Sequence, residues 1–273
     1  MQNYLNNEDT VFAFNIWNFE TAKAVMDAAE EMRQNVILQT SESIYNNIER
    51  VELRDYVSSY SKGKNIKVWL HLDHCKNIQI IKDAILNGWD SVMIDASDKS
   101  IDKNIEITNE VVEYAHIYGV AVEAEIGQVK GIEDDIVILK ESLADKSEIL
   151  DFVKNAKMDM LAVAFGNAHG MYKGEPELDF DIVEYACKIS NLPFVVHGGS
   201  GMSNDVLKRL ASINNVKKIN ISTDVKLAYR EGIMNSFNQG LLEYENFQAV
   251  NVEENIYDCI KKMVKNKLQL LMK

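Results

Sequence analysis

Leu192-Pro-Phe-Val-Val-His197-Gly-Gly-Ser-Gly201 is the stretch on which the fold turns. A short β-prone apolar run ends in a polar side chain, bends through glycine, and leads into a segment with helical spacing at Ser203–Ala211. The same order recurs along the chain. The other runs are Val11–Ile16, Asn35–Gln39, Ile66–Leu72, Asp90–Ile94, Gly119–Glu125, Met158–Phe165 and Val216–Ser222, which with Leu192–His197 makes eight. Helical segments between them include Glu20–Arg33, Ile78–Asn87 and Ile101–Tyr118. Near-continuous apolar strands, each followed by a helix, predict a parallel sheet covered on its outer face. Eight of them close a (β/α)8 barrel, at a typical length of about 250 residues. The expected layout is one α/β domain, with a barrel at about 8–237 and a helical tail at about 238–273. The late helical segments, Val225–Phe237 and Val252–Met272, are expected to pack against the barrel or a second subunit.

Composition narrows the function classes. Hydrophobic residues at 47% and charged ones at 26% suit a globular enzyme, and no apolar run approaches the ~20 residues of a membrane span. The N-terminus has no basic stretch leading into an apolar core, so no signal peptide is expected. Cys75, Cys187 and Cys259 lie far apart without a CxxC pair, which points to a reducing, cytoplasmic setting rather than a disulfide framework. A formal charge of −13, from 42 acidic and 29 basic side chains, repels nucleic acid and anionic membrane, and neither is expected as a partner. It would repel a phosphorylated substrate too, so any phosphate must be met by local amides, a cation or a few lysines.

A barrel enzyme places its chemistry at the C-terminal ends of its strands. Here those ends read Asn15; Ser41; Asp73 with His74; Asp95; Glu123 with Glu125; His169; His197; and Asn220 with Ser222. Of five histidines, His74, His169 and His197 follow strands three, six and seven, and these ends converge on one mouth. Any one histidine alone reads as well as a surface or core residue. Three together, two of them followed by glycine, offer the three-imidazole set of a catalytic zinc. His116 lies mid-helix and is expected to be structural; His71, two residues before Asp73, should point to the same side as Asp73.

His197-Gly-Gly-Ser-Gly201 precedes a helix, as does Asn220-Ile-Ser-Thr-Asp224. Glycine-rich turns at helix N-termini present amides to an anion, and the loops after strands seven and eight are the recurrent phosphate site of barrels. Glu123 and Glu125 alternate with Ala124 and should both face the interior or mouth, with Glu125 nearest the metal. Glu133 sits in a long polar connection flanked by Gly127 and Gly131, a place suited to a lid.

These residues resemble a known family. His71-Leu-Asp-His-Cys75, Glu123-Ala-Glu-Ile-Gly127 with Gly131-Ile-Glu-Asp-Asp135, Gly166-Asn-Ala-His-Gly-Met-Tyr-Lys173, His197-Gly-Gly-Ser-Gly201 and Asn220-Ile-Ser-Thr-Asp224 are similar, in order and spacing, to the class II fructose- and tagatose-bisphosphate aldolases, from about Phe12 to Tyr229. The resemblance implies a lyase that reversibly cleaves a ketose bisphosphate to dihydroxyacetone phosphate and an aldehyde such as glyceraldehyde 3-phosphate. It implies zinc on His74, His169 and His197, in place of a Schiff-base lysine. Asp73 matches the group that moves the proton at the C4 oxygen, and Glu133 matches the mobile-loop base at C3. Phosphate-binding positions fall on Gly170, Lys173, Gly199, Ser200, Ser222 and Thr223, with Asn15, Ser41 and Asn220 on the substrate side. Asp95, Glu123 and Glu125 stand behind the metal. A monovalent cation, sodium or potassium, is a further expectation, near Ala168, Gly170 and Gly198, and so is a homodimer or homotetramer.

One departure concerns the far end of the substrate. Fructose-bisphosphate members carry an arginine before the last helix, whereas this region reads Phe247-Gln-Ala-Val-Asn-Val-Glu-Glu-Asn255 and the last arginine is Arg230. Two readings therefore stand beside the bisphosphate aldolase: an aldolase for a ketose 1-phosphate lacking the 6-phosphate, and a metal-dependent sugar-phosphate isomerase or epimerase. A catalytically silent barrel is the third alternative.

Overall fold

A computed structural model describes residues 9–133, 136–138, 143–172, 174 and 176–272, with backbone alone at 130, 132–133, 136–138 and 246. The strands, in chain order, are β1 (Val11–Asn15), β2 (Val36–Ser41), β3 (Val68–Cys75), β4 (Ser91–Ile94), β5 (Ala121–Ile126), β6 (Lys130–Glu133), β7 (Ile136–Ile138), β8 (Met160–Val163), β9 (Ala168–His169), β10 (Phe194–Val196) and β11 (Val216–Ile221). Eight of them close a barrel in the order β1-β2-β3-β4-β5-β8-β10-β11, all neighbours parallel, with β11 returning to β1. The helices are α1 (Phe19–Met32), α2 (Glu42–Asn47), α3 (Arg50–Ser61), α4 (Ile78–Leu86), α5 (Ile101–Ile117), α6 (Lys146–Asn155), α7 (Phe180–Ser190), α8 (Asn204–Ser212), α9 (Thr223–Asn238) and α10 (Ala249–Gln269). The predicted (β/α)8 barrel is the observed fold.

Strand alternation sorts the side chains into two cores. Phe12, Phe14, Leu70, Leu72, Val122, Ala124, Ile219 and Ile221 point outward and pack beneath the helices. The alternate residues point inward. Val11, Ala13, Ile37, Trp69, Ala121, Met160, Ala162 and Val195 form an apolar plug at the N-terminal end of the barrel. One inward step further along the strands the residues turn polar: Gln39, His71, Glu123 and Lys218, then Ser41, Asp73, Glu125 and Asn220, all buried. The helices start where their sequence caps them. Asn18 and Thr21 make reciprocal bonds at the head of α1, and Asp145 with Glu148 does the same for α6.

Three departures from the sequence reading bear on function. β3 runs three residues past the predicted end, so Asp73 and His74 lie within it, at a register irregularity between Leu72 and Cys75. His74 there adopts φ +46°, left-handed backbone that a non-glycine residue holds only when its surroundings impose it. The sixth barrel strand stops at Val163, and His169 sits on the separate short strand β9. The connection expected as a loop carries two strands. β6 pairs antiparallel with β7 and parallel with β9, placing Gly131 opposite His169. A Cβ at Gly131 would stand 2.1 Å from the His169 carbonyl oxygen, so only glycine permits that approach.

The tail packs on the barrel's own helices. α10 buries Ile256, Ile260, Val264 and Leu268, one face at a spacing of four, against α1 and α9. Tyr257 and Tyr60 both donate to the Asp27 carboxylate, tying α10 and α3 to α1. Gly232 lets α9 and α10 touch, since its Cβ would lie 2.4 Å from Ile256 Cα. Gly232→Ala should therefore force the helices apart at a cost of about 1–3 kcal/mol. An unchanged thermal midpoint would contradict so close a crossing. No helix among the described residues is long and apolar enough to cross a membrane.

Candidate active site

The three sequence-selected histidines meet at the barrel mouth. Ring centroids of His74 lie 4.5 Å from His197 and 4.9 Å from His169, and the last two are 6.0 Å apart. One ligating nitrogen from each falls within 4.8 Å of the others, with all three residues buried. Two are oriented from behind. His74 Nδ1 donates to Asp95 Oδ2 at 3.1 Å, and Asp95 is itself fixed by the amide and hydroxyl of Ser97. His197 Nε2 donates to Glu123 Oε1 at 2.8 Å. Carboxylates that hold the far nitrogen select the tautomer, so His74 presents Nε2 and His197 presents Nδ1 to the mouth. The trio is thus bonded to two carboxylates, Asp95 and Glu123, while Glu125, expected nearest the metal, acts on His74 through its charge. Both glutamates face inward, and Glu123 is the one hydrogen-bonded to His197.

Asp73 lies beside this trio, 1% exposed, its carboxylate held by neighbours from other strands. Gln39 Nε2 donates to Oδ2 at 2.8 Å and Asn220 Nδ2 reaches Oδ1 at 3.3 Å. Gln39 also donates to Asn15 Oδ1 at 2.7 Å. His71 points to the same side as Asp73, its Nε2 3.8 Å from Asp73 Oδ1 and its Nδ1 on Ser91 Oγ at 2.8 Å. Beneath them Lys218 Nζ pairs with Glu123 Oε2 at 2.8 Å. Gln39 and Lys218 were missed from sequence, although the parity that placed Ser41 and Asn220 inward also places these residues, two positions earlier.

The electrostatics favour positive charge at His74 and oppose it at His197, whose pKa is lowered by burial and by His74. Burial alone would lower the His74 pKa, but Asp73, the bonded Asp95 and Glu125 outweigh it and hold it well above the usual imidazole range. Burial works against charge on Glu123 as well, yet Lys218 and His197 keep that carboxyl well below its usual range. Asp95 stays low through its bonds to His74 and Ser97. Glu125 moves the other way, raised by burial and by Asp95. Asp95 and Glu123 have lower folded than unfolded pKa values, so their contribution to stability is complete above the unfolded range of about 4 and disappears as pH falls toward the folded values. Asp95→Asn should therefore flatten the loss of unfolding stability between about pH 5 and pH 3. A slope equal to the parent's would contradict this assignment.

Among the described residues, the buried polar atoms around the mouth without a hydrogen-bond partner include Asn15 Nδ2, Gln39 Oε1, Glu125 Oε2, Asn220 Oδ1 and Ser222 Oγ. Unsatisfied groups clustered in a native interior call for a polar ligand. Next to them His169, Gly170, Gly198, Ser200, Asn220, Ser222 and Thr223 line one small pocket. Ser200 Oγ accepts from the amides of Ser222 and Asp224 at 3.1 and 3.2 Å, locking the loops after β10 and β11 together. Gly199 acts by its size. A Cβ there would press within 2.8 Å of Asn220 O, and its N–H already donates to that oxygen at 3.0 Å, so it is a spacer rather than the expected donor. Thr223 opens α9, where first-turn amides have no acceptor within the helix. Ser41 caps α2 and stays buried at the same rim. Lys173 lies outside the described residues, as does the Glu133 side chain, whose backbone continues β6 beyond the contact with His169. His116, exposed on α5, pairs with Asp159 at 3.0 Å and takes no part.

This arrangement is matched across the whole chain. Residues 2–273 fit the family described as fructose-bisphosphate aldolase class-II. The chain belongs to the class II fructose-bisphosphate aldolase family. It is 33% identical to the sulfofructosephosphate aldolase of Alkalicoccus urumqiensis over 93% of this chain and 90% of that one. It is 39% identical to a fructose-bisphosphate aldolase of Geobacillus stearothermophilus, over 84% and 80%. Among solved structures the YdjI aldolase from Escherichia coli K12 superposes with a TM-score of 0.82 at 29% identity, covering 98% of this chain and 93% of that one. The protein is thus an aldolase, a lyase whose family depends on a metal. The donor set fits one: three imidazoles share a buried mouth, two of them already fixed by carboxylates.

Proposed function

We propose that this aldolase cleaves a ketose bisphosphate, fructose or tagatose 1,6-bisphosphate, reversibly to dihydroxyacetone phosphate and glyceraldehyde 3-phosphate, with zinc on His74, His169 and His197. The observation that carries the reading is the meeting of those histidines with a buried, clamped Asp73, beside a small pocket formed by the loops after β10 and β11. Zinc held there would polarise the substrate carbonyl and stabilise the negative charge that develops as the C3–C4 bond breaks.

The chain's own groups do the rest. Gln39 and Asn220 hold the Asp73 carboxylate in place, and that carboxylate takes the proton from the C4 hydroxyl. Asn15 Nδ2 and Asn220 Oδ1, buried and unpartnered, bond the sugar hydroxyls. Ser222 Oγ and the opening amide of α9 at Thr223 take the zinc-side phosphate, with Ser200 bracing the two loops. Glu133, carried on β6 past His169, moves the proton at C3. Lys173 adds a cation at the phosphate, and a sodium or potassium ion binds near Ala168, Gly170 and Gly198. The protein works in the cytoplasm as a homodimer or homotetramer, which the exposed Phe237, Phe247 and Val250 around the start of α10 support.

The far end of the substrate stands apart. Phe247–Asn255 supplies no arginine, and Arg230 is exposed on α9. The two curated relatives are named for a fructose bisphosphate and a sulfofructose phosphate, which share one phosphate and differ in the second anionic group. Without a guanidinium fork, recognition of that group is less selective. A panel of fructose and tagatose 1,6-bisphosphates, their 1-phosphates and a sulfofructose phosphate tests this. The bisphosphate should lead, by less than ~10³-fold over the 1-phosphate in kcat/KM, or about 4 kcal/mol. A larger ratio would reveal a strong second-phosphate site, and absence of triose release from every member would overturn the aldolase assignment.

A further inference from the structure

Lys218 lies wholly buried inside the barrel on β11, two residues before Asn220. An ammonium out of water is costly unless paired, and lysine is almost never fully buried without a partner. Its partner is Glu123, at 2.8 Å through Oε2, with Asp73 Oδ1 at 3.9 Å. The other oxygen of Glu123 accepts from His197 Nε2 at 2.8 Å. One carboxylate is therefore shared, with an oxygen for the lysine and an oxygen for the histidine. His71, Asp73 and Glu123 also bring donor atoms within 4.8 Å of one another, a second grouping that could hold a metal ion. Lys218 stands at two of its carboxylates and provides that grouping's positive charge as a tethered side chain.

We infer that Lys218 is a positioning residue for the metal site: by holding Glu123 it fixes His197 with Nδ1 toward the mouth, and it fills the acidic pocket beneath so that the trio alone takes the metal. This rests on the zinc reading above. Through Glu123 the lysine acts on the ring orientation of His197, without touching substrate. Lys218→Met keeps the length of the chain and removes the charge, leaving Glu123 free to turn away from His197.

The test is zinc affinity of the full-length protein, by competition with a chromogenic chelator, alongside circular dichroism and the visible spectrum of the cobalt(II)-loaded form. Lys218→Met should bind zinc ~10–100-fold more weakly, the scale for a group that orients a metal ligand, with a shifted cobalt spectrum and retained secondary structure. In the double variant Lys218→Met/Glu123→Gln the loss should be no larger than for the more affected single variant, because both act through one path. A folded Lys218→Met with affinity within twofold of the parent and an unaltered cobalt spectrum would overturn the inference, as would fully multiplicative losses. If Lys218→Met does not fold, the neutral pair carries the test, and wild-type affinity in that pair overturns it equally. A parent that binds no zinc would instead sink the zinc reading itself, so the two failures are distinguishable.

Discussion

Alanine at His197 should remove zinc and cleavage together, with kcat/KM falling by at least ~10³-fold, beyond the ~10–100-fold of a change behind a ligand. The size of the effect follows from the surroundings. His197 is 1% exposed, with its Nε2 committed to Glu123 and its Nδ1 3.2 Å from Asn220 Nδ2, so its ring is held in place from both sides. Alanine leaves two imidazoles at the mouth and strands one oxygen of Glu123. Metal content by atomic absorption should drop from one zinc per chain in step with activity. A variant that retains both would remove His197 from the metal set.

Asp73→Ala should lower cleavage by at least ~100-fold, the scale of a lost acid–base group. It separates the two acids when read beside a second assay, the exchange of the C3 proton of dihydroxyacetone phosphate with solvent. Asp73 sits on the floor of the mouth, clamped by Gln39 and Asn220 and unable to travel. Glu133 rides on β6, outside the barrel and joined to it through β9. Asp73→Ala should therefore spare the exchange, while Glu133→Ala should suppress it. The reverse pattern would show that the two roles are exchanged, even with both residues essential.

Much of this was legible in the residues because barrel chemistry follows strand parity. Eight apolar runs, each with a polar side chain at or just past its end, point to the mouth, and His74, His169 and His197 meet where their strand numbers place them. Parity also separated Glu123 and Glu125 from Ala124, but it could not say which carboxylate a histidine would choose. That depends on height along the barrel axis, fixed by the register between β5 and its neighbours. Gln39 and Lys218 escaped for a related reason. Lys218 lies within its apolar run, and Gln39, the last residue of Asn35–Gln39, was passed over for Ser41; only the closed barrel shows that the interior turns polar one step below the rim. The segment after Gly127 looked like loop because Gly131 and its polar neighbours lack strand character. Its extended form comes from pairing with β9, a contact made possible by the missing side chain at Gly131.

Cleavage of fructose or tagatose 1,6-bisphosphate, followed by coupled detection of dihydroxyacetone phosphate before and after chelation, tests the metal-dependent aldolase most directly. Chelation should abolish triose release and one equivalent of zinc per chain should restore it, while borohydride added with substrate should leave the activity unchanged. Activity that survives chelation, or is destroyed by borohydride, would mean a Schiff-base route and would contradict the role given to His74, His169 and His197.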